Sequence, residues 1–441
     1  MSAVINDLMK ILEDCVRWRL NTEFNRNLAD SPLYQLQINE HDFLGQFIVE
    51  NKLRHEEIIL LMLALIPHIH PSFFQNLIGE YFPNGGEFPE FGGVKGTNHR
   101  GILPTGETAL YLLAGTDTNK RVQMAGLFDP EQTLFHKGVL RLGSAPDGEP
   151  RFSGRLLLDD EYADLFTTGK VVKPQLSGDF PAELITTGLD WSELVLPTTT
   201  MDGIREIETW LQFNEQLMAD WELKGRVKPG FRVLFFGPPG TGKTMAACLL
   251  GKYTSRDVYR VDLSMVVSKY IGETEKNLSK LFDKAANKDW ILFFDEADSI
   301  FGKRTGVRDA HDKYANQEVS YLLQRIETHP GLIILASNLK SNIDSSFTRR
   351  FNATIEFPNP GIDERKRLWE TYFPAHVEKA RDFSFADLAR RFDLSGANIV
   401  NVVQFAGLQS LKQNRPVIQR DDLLRGIYKE YQKEGKMIRR E

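Results

Sequence analysis

Gly237-Pro238-Pro239-Gly240-Thr241-Gly242-Lys243-Thr244 is the stretch on which the reading turns. It satisfies G-x-x-x-x-G-K-[ST] at every fixed position. Residues 233–236 before it are an apolar run (Val-Leu-Phe-Phe), and residues 245–253 after it carry a helical pattern. Strand, glycine-rich turn and helix in that order form a phosphate cradle. The glycines let consecutive backbone N–H groups turn inward around phosphate oxygens. The helix N-terminus adds partial positive charge at the same point. In such a cradle Lys243 is expected to bridge the β- and γ-phosphates, and Thr244 to hold Mg²⁺ through its hydroxyl.

Working outward, Ile291-Leu292-Phe293-Phe294-Asp295-Glu296-Ala297-Asp298 begins with four apolar residues and ends in carboxylates. A buried strand of a parallel sheet delivers ligand-facing groups at its carboxyl end. Asp295 is then expected to face the metal through its water shell. Glu296 is expected to polarise an attacking water as general base. Further strand-like runs at 258–261, 332–335 and 354–357 alternate with helical patterns, among them 243–253 and 274–286. The expected fold is therefore α/β, with a parallel sheet and helices on both faces over residues 191–360. After Pro360 the pattern is helical, and residues 361–441 are expected to form an all-α lid.

These two motifs in this order closely resemble the AAA+ ATPases, ring-forming enzymes with a phosphate-binding loop. The resemblance covers about residues 190–435 and implies ATP and Mg²⁺ as cofactors. It implies that Asn338, after the strand at 332–336, is the polar sensor that holds the lytic water or the γ-phosphate. Ile343-Asp344-Ser345-Ser346-Phe347-Thr348-Arg349-Arg350-Phe351 looks like the second region of homology. Arg349 and Arg350 are similar to arginine fingers that enter the neighbouring subunit's site. Leu394-Ser395-Gly396-Ala397-Asn398-Ile399 resembles the Gly-Ala-Asp-Ile element of the narrower AAA subgroup, which sets Gly396 and Ala397 near the adenine. Asn398 stands where that element usually has Asp. Leu194 or Val195 is expected to line the adenine pocket. Lys269-Tyr270-Ile271-Gly272 resembles the first pore loop of protein-remodelling rings. An aromatic and an aliphatic side chain there can grip a peptide without reading its sequence, and a second loop at 306–312 with His311 is expected to face the same channel.

The N-terminal part is less distinctive. Residues 1–100 read as mainly helical, beginning with an amphipathic helix at 3–24, with Pro67 and Pro71 as breaks. Residues 101–175 read as a small α+β domain, and 176–190 as a linker rich in turn residues. The stretch 102–170 is similar in pattern to a winged-helix variant that precedes AAA modules in some bacterial proteins, including those encoded with phage-tail-like contractile injection systems. Cys15 and Cys248 are the two cysteines of the chain and form no disulfide framework. With no basic n-region at the start and no apolar run longer than Ile58 to Ile66, the expectation is a cytoplasmic protein with no membrane insertion.

Charge separates the partner classes. The 441 residues carry a net −6, but residues 1–190 hold 16 Lys+Arg against 26 Asp+Glu, a net of −10. Residues 191–441 hold 38 against 34, a net of +4. An acidic N-terminal part repels a polyanion and favours a protein partner over nucleic acid. The resemblance thus implies an ATP-hydrolysing protein remodeller that forms a ring, expected to be a hexamer. The alternatives are a nucleic-acid motor or loader of the same family and a scaffold whose hydrolysis only times assembly.

Overall fold

The computed structural model describes residues 3–24, 42–82, 88–177, 180–221, 226–266, 273–286, 288–298, 310–338, 349–374, 376–380, 383–415 and 417–436. The chain divides into two compact units, Met1–Lys173 and Pro174–Glu441.

The first unit is built around helix His55–Ile69, in which every residue from Glu57 to Ile66 is buried. A helix apolar on all sides has to be surrounded, and helices Ala3–Glu23 and Gly106–Ala114 pack against it. Pro67 does not break this helix as the sequence suggests. It lies in the last turn, and beyond it the cap residue His70 still bonds back to the helix, its N–H donating to Ile66 O at 2.8 Å. The chain bends by 103° only after Ile69, around Pro71. The antiparallel pairs β1 (Val94–Lys95) with β2 (Ile102–Leu103) and β3 (Leu140–Leu142) with β4 (Leu156–Leu158) complete the unit. The expected boundary between residues 100 and 101 is not seen: one continuous core runs from Val4 to Phe166. The apolar run around Ala109 is a helix because Thr105 and Thr108 cap it reciprocally.

The second unit holds a six-stranded sheet in the order β10-β6-β9-β8-β7-β5. Its members are β5 (Ala182–Ile185), β6 (Phe231–Phe236), β7 (Val258–Val261), β8 (Ile291–Phe294), β9 (Leu332–Ser337) and β10 (Ala353–Glu356). All neighbouring pairs are parallel except β5 with β7. The central strands β6, β8 and β9 read as near-continuous apolar runs because both faces are covered. Leu234, Leu292 and Leu335 enter one core with helix Glu273–Ala285, while Val233, Phe293 and Ile334 enter the other with helices Thr198–Asp220 and Lys243–Thr254. β5 corrects the sequence reading of 176–190 as a linker: its four residues pair with β7 from Ala182↔Val261 to Ile185↔Val258.

Residues beyond Pro360 form a smaller helical layer with its own core around Trp369, Ile399, Val402 and Ile427. Its helices are Ile362–Tyr372, Phe385–Arg391, Gly396–Lys412 and Arg420–Lys433, joined by the short parallel pair β11 (Glu378–Lys379) and β12 (Val417–Ile418). Among the described residues no single helix is long and apolar enough to cross a membrane.

Candidate functional site

In the sheet order, β6 lies between β10 and β9, with β7 three strands away from it. Chain direction across the sheet therefore reverses at β6. The crevice beyond the carboxyl ends of such strands is where open α/β sheets bind ligands. The glycine-rich loop leaves β6 at this point.

Three glycines of the loop have backbone that only glycine adopts without strain: Gly237 (φ 146°), Gly240 (φ 74°) and Gly242 (φ 100°). A Cβ on Gly237 would fall 2.0 Å from Phe357 O, and one on Gly240 would fall 2.8 Å from the Ala397 Cβ. The loop is thus wedged between the end of β10 and the lid. Thr241 Oγ1 donates to Pro238 O at 2.8 Å and tightens the turn.

Lys243 begins the following helix and is 8% exposed. Its Nζ donates to Gly237 O at 2.6 Å and Pro238 O at 3.0 Å, with Asn338 Oδ1 at 3.5 Å. Burial pulls its ammonium below the ordinary lysine range, while Asp295 and Asp298 oppose the shift. At the end of β8, Asp295 accepts the Glu296 N–H at 2.9 Å, and Glu296 sits at φ 50°. A left-handed conformation at a glutamate is uncommon and is typical of sites where the backbone aims a side chain.

Lys243, Asp295, Glu296 and Asn338 line one cleft of about 460 Å³ together with Pro239, Gly240, Thr241, Gly242, Thr244 and the lid residues Gly396 and Ala397. Gly237 and Pro238 contribute through the carbonyls that hold Lys243. The lid closes over the loop by a backbone bond, Ala397 N–H to Gly240 O at 3.2 Å. Both Leu194 and Val195 line the cleft. Sequence reading missed Pro358, Pro360, Leu368, Tyr372 and Val400, which also line it. The two prolines just past β10 were the available signal for a chain turning over the sheet end. Tyr372 reaches back to Glu193 O at 3.4 Å, a contact across 179 residues that no local pattern announces.

Arg349 and Arg350 lie elsewhere. They precede β10, and Asn352 N–H bonds Arg232 O at 2.8 Å, at the entry end of β6. Gly237 is five residue steps along the strand from Arg232, roughly 17 Å at about 3.3 Å per residue. Arg350 is hydrogen-bonded to Glu327 of the same chain, and Arg349 is exposed. Residues 269–272 and the greater part of 306–312 lie outside the described residues, and nothing is described of the His311 side chain.

Residues 233–359 match the family model described as ATPase family associated with various cellular activities (AAA). Over 204 residues the chain is 34% identical to proteasome-activating nucleotidase 2 of Halobacterium salinarum, covering 44% of this chain and 49% of the relative. It is 30% identical over 244 residues to 26S proteasome subunit RPT4 of Saccharomyces cerevisiae, covering 52% and 56%. Protein CdcH of Halobacterium salinarum is 29% identical over 232 residues, covering 50% and 31%. The chain thus spans about half, or less, of the length of these curated relatives.

Proposed function

We propose that the chain is a Mg²⁺-dependent ATPase that works in a ring of its own copies, a hexamer by resemblance, and remodels a protein substrate or complex. The observation that carries the ATPase reading is the convergence of Lys243, Thr244, Asp295, Glu296 and Asn338 on one cleft at the exit of β6. The similarity to a proteasome-activating nucleotidase and to a 26S proteasome subunit supports the remodelling reading.

Phosphate oxygens would take over the Lys243 ammonium from the carbonyls of Gly237 and Pro238. The loop N–H groups and the helix N-terminus would hold the remaining oxygens. Thr244 and Asp295 offer hard oxygen donors, and no cluster of three or more metal-ligating side chains exists among the described residues. That donor set fits Mg²⁺, which keeps waters and shares phosphate oxygens with one or two protein groups. Bound there, it would neutralise charge on the β- and γ-phosphates. Glu296 would orient and deprotonate the attacking water, and Asn338 would fix its position. The roughly 17 Å strand separation keeps Arg349 and Arg350 away from the phosphate loop of their own chain, which supports their action on a neighbouring copy. We read Tyr270 and Ile271 as the residues that grip substrate, with Lys269 and Gly272 framing them. We read the stretch 102–170, within the single core of the first unit, as a winged-helix variant; helices that precede the antiparallel β3–β4 pair support this reading. Residues 1–173 hold 16 Lys+Arg against 23 Asp+Glu, a net of −7, which supports a protein partner for the first unit.

The test uses the full chain with Glu296→Gln and Tyr270→Ala. Glu296→Gln is expected to bind ATP and to stop turnover. Tyr270→Ala is expected to hydrolyse ATP and to lose unfolding of a tagged fluorescent substrate. Absence of ATP hydrolysis by the native chain under assembly conditions would overturn the ATPase reading, and unfolding by Tyr270→Ala at the native rate would overturn threading.

A further inference from the structure

The lid turn that closes on the phosphate loop is held from behind by a buried carboxylate. Ser395 and Asn398 cap helix Gly396–Lys412 reciprocally. Asn398 N–H donates to Ser395 Oγ at 3.3 Å, and Ser395 N–H donates to Asn398 Oδ1 at 3.0 Å. With its Oδ1 occupied by the cap, Asn398 points its Nδ2 to Glu430 Oε2 at 3.1 Å. Asn401 Nδ2 donates to the same oxygen at 3.2 Å, and Lys433 Nζ bonds Oε1 at 2.6 Å. Glu430 is 6% exposed and Asn398 9%. Burial pushes the Glu430 carboxyl up, but its hydrogen bonds from Lys433, Asn398 and Asn401 together pull it below the usual range. A buried carboxylate with this set of donors is a fixed anchor, because any displaced donor would leave charge unsatisfied.

The anchor acts on the cleft through a short path. Between Asn398 and the phosphate loop stand only Gly396 and Ala397, which line the cleft, and the bond from Ala397 N–H to Gly240 O. We infer that Glu430 is a positioning residue that, through Asn398, holds the Ser395–Ala397 turn against Gly240 and thereby sets nucleotide affinity. The inference rests on the nucleotide reading of the cleft. Asn398 is also the residue type this arrangement requires. It must accept from Ser395 with one atom and donate to a carboxylate with the other, which an ionised aspartate cannot do.

The test is a charge swap read by binding of fluorescently labelled ADP to the full chain. Binding by the native protein checks the nucleotide reading by itself. Asn398→Asp sets two carboxylates about 3 Å apart and is expected to weaken ADP binding about tenfold. The double variant Asn398→Asp with Glu430→Gln restores one donor and one acceptor between positions 398 and 430, while the exposed Asn401 amide can turn its oxygen to the new donor or its nitrogen to solvent. It is expected to return affinity to within about threefold of native. Native affinity in Asn398→Asp, or equal weakening in the single and double variants, overturns the inference. Should Asn398→Asp not fold, Glu430→Ala and the double variant carry the test. Weakened ADP binding in Glu430→Ala, with the double variant near native, supports the anchor, and native affinity in Glu430→Ala overturns it.

Discussion

The Arg350 guanidinium donates to the Glu327 carboxylate of its own chain, and Lys228 Nζ reaches the same carboxylate at 2.9 Å. Glu327 also offers its backbone carbonyl to the buried Arg232 at 3.0 Å. Lys228 first, then Arg350, hold the Glu327 carboxyl below its usual range against the effect of burial. Arg350 is therefore docked on Glu327, although its side chain, like that of the neighbouring Arg349, is exposed. To touch phosphate on another copy Arg350 has to leave Glu327, and Arg349 does not. Arg349→Ala is expected to cut hydrolysis by roughly 10³ or more while leaving ATP affinity near native. Subunits with Arg349→Ala mixed with subunits carrying Lys243→Ala should regain part of the activity, since each supplies what the other lacks. A mixture as inactive as its components would show that the arginine acts within its own chain.

Lys243→Ala should abolish nucleotide binding with little cost to the fold. The native ammonium is buried, and its two strong partners, Gly237 O and Pro238 O, belong to the loop itself. Removing it relieves a desolvated charge but leaves two carbonyls to find other donors, so the net change in stability is expected within about 1 kcal/mol. Calorimetric titration with ATP and a thermal melt of the same sample check both halves. Micromolar ATP binding by this variant would contradict the role of Lys243 in the cleft.

Glu296→Gln preserves shape and removes the base. Because Glu296 takes its left-handed conformation with its own N–H bonded to Asp295 Oδ1, the backbone aim should survive the change. Turnover is expected to fall at least about 10²-fold, the scale of general-base catalysis, while ATP binding stays. Single-turnover hydrolysis measures this directly.

What the sequence could show follows from where each signal lives. β6, β8 and β9 fall within two residues of the expected strands because four consecutive apolar residues buried on both faces are a local signal. The Gly237–Thr244 loop was legible because its conformation demands glycine at Gly237, Gly240 and Gly242. β5 was not legible: four residues including Glu183, flanked by turn formers, look like a linker until β7 is known to lie beside them. The single core of the first unit was equally hidden, since contacts such as Arg19 to Leu112 O link residues 93 apart. The anchor of Asn398 at Glu430, 32 residues away, escaped for the same reason.

His329 makes stability depend on acid in a defined window. It is 4% exposed, and its Nε2 has no hydrogen-bond partner among the described residues. Burial, with Arg325 and Arg232 nearby, pushes its pKa down from 6.5 to about 4. The unfolded chain therefore binds more protons than the folded one between those values. Stability is full above about pH 6.5 and falls as the pH drops towards 4. The loss from this group is on the order of 3 kcal/mol at the low end. His329→Gln should flatten the dependence of the melting temperature on pH across that window, whatever it does to stability at pH 7. An unchanged slope would assign the acid sensitivity to other groups.

Phe180 decides whether β5 stays on the sheet. Its ring lies edge-on to Tyr259 at 5.4 Å and Trp290 at 5.8 Å, with Lys284 Nζ 5.5 Å from its centre, and it is 4% exposed. β5 itself is only four residues long and forms the antiparallel edge, so backbone pairing alone is a weak attachment. The ring is the largest buried side chain of this edge, which Ala182, Leu184 and Ile185 also fasten. Phe180→Ala is expected to cost about 3–5 kcal/mol if the strand remains in place and the cavity persists. If instead the strand detaches, the loss should be smaller, and amide protection should vanish from residues 182–185 while β7 exchanges faster. Hydrogen exchange distinguishes the two, because the first outcome keeps 182–185 protected. Retained protection together with native stability would mean that Phe180 contributes nothing to the edge, contrary to its burial between two aromatic rings.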